Sequence, residues 1–223
     1  MDQRAAITLE TGARVSGLWR RPGNASACLV LAHGAGAGMA HPSMAALADG
    51  LIARAIAVLR YQFLYMEQGA KRPDPPKLAH AIVRAAAAQA TQLAPDLALF
   101  AGGRSFGGRM TSQAQATAPL PGVRGLVFFA FPLHAAGKPA TERAEHLNEV
   151  HAPMLFLQGT KDALADVHLL RETVVKLGDR ATLKVFEHAD HSFHVPAKSG
   201  RTDGQIRDEM LDIAARWISD RAR

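Results

Sequence analysis

The 223 residues are enough for one domain with a sizeable apolar core, and 48% hydrophobic against 21% charged residues is the balance of an ordinary globular chain. No apolar run is long enough to cross a bilayer, and the opening Met1-Asp2-Gln3-Arg4 lacks the basic-then-apolar layout of a secretory leader, so neither membrane attachment nor export is expected. The formal net charge is +6, but its arginines are scattered, as at Arg14, Arg54, Arg84, Arg124 and Arg180, with no basic run interleaved with aromatics, so a specific nucleic-acid partner is not expected either.

Along the chain, apolar runs alternate with amphipathic stretches. Residues 7–9 and 14–19, joined at Thr11-Gly12, predict a hairpin. Short apolar runs at 28–32, 55–60, 97–101, 125–130, 154–158 and 182–187 predict strands, several of them continuously apolar as for parallel strands covered on both faces. The first holds the only cysteine, Cys28, which excludes an intramolecular disulfide, reads as a buried inert thiol and suits a cytoplasmic, reducing compartment. Between the runs, residues 43–54, 77–93, 106–117, 140–150, 164–177 and 204–221 predict helices. The last places Ile206, Met210, Ile213 and Trp217 on one stripe. Arg72-Pro73-Asp74-Pro75-Pro76 is a stiff loop before a helix rather than a linker. Residues 1–223 therefore read as a single α/β domain, a mostly parallel doubly wound sheet with an N-terminal antiparallel hairpin.

The chemistry is concentrated at the ends of these strands. Gly103-Arg104-Ser105-Phe106-Gly107 fits G-x-S-x-G, the turn that lifts a serine hydroxyl above the end of a parallel strand. The motif is common by chance, and its position after an apolar strand and before a helix is the context it needs. A serine nucleophile requires a base, and the base an orienting carboxylate. On this kind of sheet the chain order is Ser, then Asp or Glu, then His. The 154–158 strand runs into Gly159-Thr160-Lys161-Asp162, and the 182–187 strand into His188-Ala189-Asp190-His191-Ser192-Phe193-His194. Three separate segments so deliver Ser105, Asp162 and His191 to the carboxyl edge of one sheet. Asp166 is the alternative acid, but it falls inside a helical pattern. The three histidines and Asp190 also admit a metal site, against which stands the lack of a matching acidic cluster elsewhere.

The strand at 28–32 enters His33-Gly34-Ala35-Gly36-Ala37-Gly38, whose small residues let backbone N–H groups approach a substrate oxygen. An oxyanion hole is expected from the amides of Ala35 (or Gly36 if the loop is shifted) and of Phe106. A phosphate loop is the rival reading, but its lysine and its G-x-G-x-x-G spacing are both missing. His33 reads as a brace for this loop. Tyr61, Phe63 and Tyr65 follow a strand end and read equally as core or as the wall of a substrate pocket. Arg104 is expected to point away from the serine and to form a structural ion pair.

His33-Gly34-Ala35-Gly36, Arg60-Tyr61-Gln62-Phe63-Leu64-Tyr65-Met66, the Pro73–Pro76 loop, Gly102–Gly108, Gly159–Asp162 and Asp190-His191-Ser192-Phe193 together resemble the α/β-hydrolase superfamily over nearly the whole chain. More narrowly, the chain resembles its small dienelactone-hydrolase-like group, with testis-expressed protein thirty and a subunit of a nuclear histone-acetyltransferase complex among its members. The resemblance implies an acyl-enzyme mechanism with Ser105, Asp162 and His191 as the triad, acting on an ester, thioester or lactone. No cofactor and no metal are expected, and the expected partner is a small-molecule acyl substrate. Where the group usually has Asn-Phe-Pro, this chain has Gln62-Phe63-Leu64, a departure at the acyl pocket. The segment 131–152 is too short for a large lid, so an open site is expected. A non-catalytic scaffold and an acyltransferase are the alternatives, and the sequence specifies no oligomeric state.

Overall fold

The N-terminal alternation folds into the expected hairpin in the computed structural model, which describes residues 1–223. Strand β1 (Gln3–Thr8) pairs antiparallel with β2 (Arg14–Arg20), and Gly12, at φ +83°, supplies the left-handed turn residue between them. Then follow β3 (Ala27–Ala32), α1 (Pro42–Ile52), β4 (Ile56–Tyr61), the short α2 (Leu64–Glu67), α3 (Pro76–Leu93), β5 (Ala98–Arg104) and α4 (Phe106–Thr117). After these come β6 (Val123–Phe129), β7 (Met154–Gly159), α5 (Val167–Leu177), β8 (Ala181–Phe186) and α6 (Asp203–Ala222).

The strands form one sheet in the order β1-β2-β4-β3-β5-β6-β7-β8. From β4 to β8 all neighbours are parallel, and β2 joins β4 antiparallel. The wholly buried β3 shows why helices must cover both faces. Its side chains divide by parity, as a pleat requires. Cys28, Val30 and Ala32 enter the apolar layer under α3, α4 and α5, whereas Ala27, Leu29 and Leu31 enter the layer under α1 and α6. The α6 stripe follows its sequence pattern in the main. Ile206, Met210 and Trp217 are buried with Leu211, Ala214 and Ile218, and Thr202 with Gln205 closes a capping box at its start. Trp217 meets Phe100 edge-on, ring centres 6.1 Å apart, and the Arg221 guanidinium lies over the Trp217 ring. No helix is long and apolar enough to cross a membrane.

Four elements differ from the sequence reading. Strand β5 continues to Arg104, because two small glycines carry the ladder past the apolar run. The helix expected from 164 begins at Val167, since the Asp166 side chain accepts from the amides of His168 and Leu169 and caps it. Helix α2 was not foreseen. It is held by Asp74 of the proline-rich loop, whose carboxylate accepts from the Tyr65 amide at 3.2 Å. The helix expected at 140–150 is a 3₁₀ segment, Glu142–Glu149. It buries Ala144 and Leu147, three residues apart, on one side.

This segment is fastened to α4 by a 2.7 Å hydrogen bond between His146 Nε2 and Ser112 Oγ. Burial pushes the His146 imidazole down from 6.5 to about 4, with Arg109 and His80 adding repulsion. Folded His146 therefore stays neutral at a pH where the unfolded chain takes up a proton. Stability from this group is complete above 6.5, is lost as pH falls toward 4, and levels off below. Urea unfolding at pH 7 and pH 4.5 should show wild type losing about 2 kcal/mol more than His146→Gln over that interval. Equal losses would contradict this assignment.

Candidate active site

Strand β5 ends against a turn that leaves no room for side chains. A Cβ on Gly103 would lie 2.5 Å from the Ala32 carbonyl oxygen, and one on Gly107 would lie 2.5 Å from that of His33. Backbone atoms cannot yield as side chains do, so β3, β5 and the start of α4 meet at this spacing only with glycine at both places. Between them Ser105 takes φ +50°, ψ −118°, a strained conformation for a residue with a Cβ. The Ser105 amide is tied to the Phe129 carbonyl and its own carbonyl accepts from Arg109, so the strain is held from both sides.

The carboxylate comes from the β7 edge. Asp162 is buried, its side chain fully so. One oxygen accepts from the Leu164 amide at 2.7 Å; the other accepts from the Gln158 side-chain amide and meets His191 Nδ1 at 2.7 Å. Gln158 is a partner the sequence reading missed. A glutamine closing an otherwise apolar strand, four residues before the aspartate, was the available signal.

The imidazole comes from the loop after β8. His188 and Phe193 take positive φ, 63° and 62°, and Asp190 accepts from the amides of Ser192 and His194, folding residues 188–194 back over the sheet edge. Gly159 lets the two loops touch: a Cβ there would lie 2.3 Å from the Ala189 carbonyl oxygen, and Lys161 N–H donates to that oxygen at 2.8 Å. His191 Nε2 then lies 2.9 Å from Ser105 Oγ. The side chains of Asp162, His191 and Ser105, from three distant segments, thus form one continuous hydrogen-bonded chain. Asp166 lies outside it as a helix cap. His194 turns away and pairs with Asp203 at 2.9 Å.

His33 braces the facing loop. Its Nδ1 donates to the Gly34 carbonyl at 2.8 Å and its Nε2 accepts from the Phe63 amide at 3.0 Å. Acceptance at Nε2 requires the neutral ring, and burial moves its pKa down in agreement. Beyond it, Ala35 is exposed and its N–H donates to no other group of the chain. The Phe106 N–H opens α4 and has no acceptor within the helix.

Ser105 and His191 line a cavity of about 170 Å³ together with Gly34, Ala35, His41 and Arg104. A larger cleft of about 540 Å³ lies behind Asp162 and does not reach Ser105. Tyr61, Phe63 and Tyr65 are buried and do not line the serine's cavity. Phe63 packs edge-on against His33, Tyr61 and Phe106, so these aromatics form the packing behind the serine turn and not a substrate wall. Arg104 is a second correction. It forms no ion pair, and its guanidinium donates to Ser192 Oγ at 3.2 Å. The pleat explains this: Phe100 faces the α1 and α6 layer, so Arg104, four residues on, projects over the same side, where the cavity opens.

Several solved structures share this fold across their full lengths. A dienelactone hydrolase from Anabaena variabilis superposes with a TM-score of 0.78 at 17% identity, covering 100% of this chain and 99% of its own. An α/β serine hydrolase homologue from Coxiella burnetii gives 0.76 at 18%, covering 95% and 96%. An α/β serine hydrolase without a lid, from Xanthomonas campestris, gives 0.73 at 20%, covering 97% and 95%. A sequence model of the α/β-hydrolase domain matches residues 25–219, and by that match the chain belongs to the α/β-hydrolase domain family.

Proposed function

We propose that this protein is a serine hydrolase that cleaves small carboxylic esters, thioesters or lactones through an acyl-enzyme. The observation that carries the reading is the unbroken relay from Asp162 through His191 to a strained Ser105, with contacts of 2.7 and 2.9 Å. The ionised carboxylate keeps the His191 proton on Nδ1, which leaves Nε2 as the acceptor facing Oγ. His191 takes the Ser105 proton as Oγ attacks the substrate carbonyl. The carbonyl oxygen becomes an oxyanion, for which the free N–H groups of Ala35 and Phe106 are the available donors, with the positive end of α4 behind them. The intermediate collapses as His191 returns its proton to the leaving oxygen or sulfur. A water, deprotonated by the same imidazole, then attacks the acyl-enzyme, and the carboxylic acid departs as Ser105 recovers its proton.

The environment suits these roles. Asp162 is dry and its oxygens are satisfied, so it stays fixed, whereas the His191 side chain retains 25% of its exposure and reaches both hydroxyl and solvent. A cavity of about 170 Å³ favours short acyl groups. The likeness to a dienelactone hydrolase and to a serine hydrolase without a lid supports the same reading, including lactones among the substrates.

Ser105→Ala should reduce hydrolysis of 4-nitrophenyl acetate by about 10³- to 10⁶-fold. Wild type should prefer acetate and butyrate esters over the dodecanoate. Unchanged turnover in the serine variant would overturn the proposal.

A further inference from the structure

Gln158 is the one polar side chain of β7. By the pleat, Met154, Phe156 and Gln158 share a face, and the first two belong to the apolar layer under α3, α4 and α5. Gln158 takes the third place and is wholly buried. It is satisfied at one end only: Nε2 donates to Asp162 Oδ2, whereas Oε1 has no donor within the chain. The reverse orientation would set an amide oxygen against a carboxylate, so the bond to Asp162 fixes which way the amide points. A methionine would fill the same space with nothing left unsatisfied. An orphaned buried oxygen is a cost that filling the core does not explain.

The glutamine donates to the same oxygen as the histidine. Asp162 Oδ1 accepts from the Leu164 amide, and Oδ2 accepts from both Gln158 Nε2 and His191 Nδ1. The imidazole thus shares its acceptor with a neutral donor fixed on the sheet. An imidazolium N–H gains more from a carboxylate than the N–H of a neutral ring does. A second donor on the same oxygen offsets part of its negative charge and trims that gain. Other charged and titratable groups stand nearby. Arg104 and His41 border the cavity beside His191, and Asp190 precedes it in its own loop. Around the cleft behind Asp162 stand Lys161, Glu187 and His188 of the two loops, and Asp166, His168 and Arg171 of α5 and its cap. None of these hydrogen-bonds the Asp162 side chain, so Gln158 is the one side chain besides His191 that does.

We propose that Gln158 is a positioning residue that lowers the basicity of His191: by occupying Asp162 Oδ2 it weakens the grip of that oxygen on the imidazolium, and it holds the carboxylate turned toward Nδ1. The proposal rests on the hydrolase reading for its effect on turnover but not for the proton equilibrium. With Gln158 in place the imidazole gives up its proton at lower pH, so the neutral base that faces Ser105 is present over a wider range.

The test is Gln158→Met, which removes the donor at similar size. The acid limb of the kcat/KM profile for 4-nitrophenyl acetate should move to higher pH by about half to one unit. Below that limb kcat/KM then falls by about threefold to tenfold, while the loss on the plateau above it is smaller. A residue that only fills the core would scale the whole profile and leave the limb where it is. NMR of the ring nitrogens in Ser105→Ala reads the proton equilibrium without turnover. The midpoint of the His191 titration should rise by the same amount when Gln158→Met is added, a result that stands even if Ser105 proves not to be the nucleophile. Retained turnover in Ser105→Ala counts against the hydrolase reading alone; an unmoved midpoint counts against the role of Gln158 alone. Should Gln158→Met not fold, the wild-type protein still decides, because the Gln158 amide proton bonded to Asp162 should shift with the same midpoint as His191. A limb and a midpoint that Gln158→Met leaves in place or moves down, or a Gln158 amide indifferent to the imidazole, overturns the proposal.

Discussion

The close approach of β3, β5 and the start of α4 around Gly103 and Gly107 is the constraint from which the rest of the site follows. With backbone atoms spaced so that no Cβ fits, the chain turns from strand to helix within one residue, and that residue, Ser105, carries the strain. The turn is not free to relax, because β5 is hydrogen-bonded between β3 and β6. The same registration that pairs Ala32 with Gly103 starts the 33–38 loop level with the serine. Ala35 of that loop therefore borders the same cavity as Ser105.

A second registration delivers the other two groups. Gly159 of β7 pairs with Phe186 of β8, so the acid and imidazole loops leave the sheet at one level and touch through Gly159 and Ala189. The histidine loop then folds back toward β5 by its own short-range bonds, those of Asp190 to the Ser192 and His194 amides. The result is graded in polarity. Asp162 is sealed in with three donors, His191 sits at the boundary, and Ser105 opens into a cavity bordered by Arg104. A buried, satisfied carboxylate beside a partly exposed imidazole is the arrangement that lets a proton move between base and substrate while the acid stays fixed.

Much of this was legible in the sequence because it is local. Continuous apolar runs marked the parallel strands, and glycines two residues either side of a serine marked the turn. An aspartate and a histidine just past successive strand ends marked the loops that the fold brings together. What was not legible depends on tertiary placement. Tyr61, Phe63 and Tyr65 follow a strand end and could face either way; only the position of His33 and Phe106 puts them behind the turn. Gln158 gains its importance from an aspartate whose orientation the sequence does not state. The side of Arg104 is not legible because the strand continues three residues beyond its apolar run, so the pleat carries the side chain over the α1 side. The 140–150 stretch carries a spacing that α and 3₁₀ helices share, so its 3₁₀ form is not written in its apolar pattern.

The central claim is that Ser105, His191 and Asp162 act as one unit, and covalent capture reads it most directly. A reporter-bearing fluorophosphonate reacts with a serine activated by its imidazole, and peptide mass spectrometry locates the adduct. Adduct confined to Ser105, and lost in both His191→Ala and Asp162→Ala variants that remain folded by circular dichroism, is the expected result. Modification at another residue, or undiminished capture without the imidazole, would contradict it.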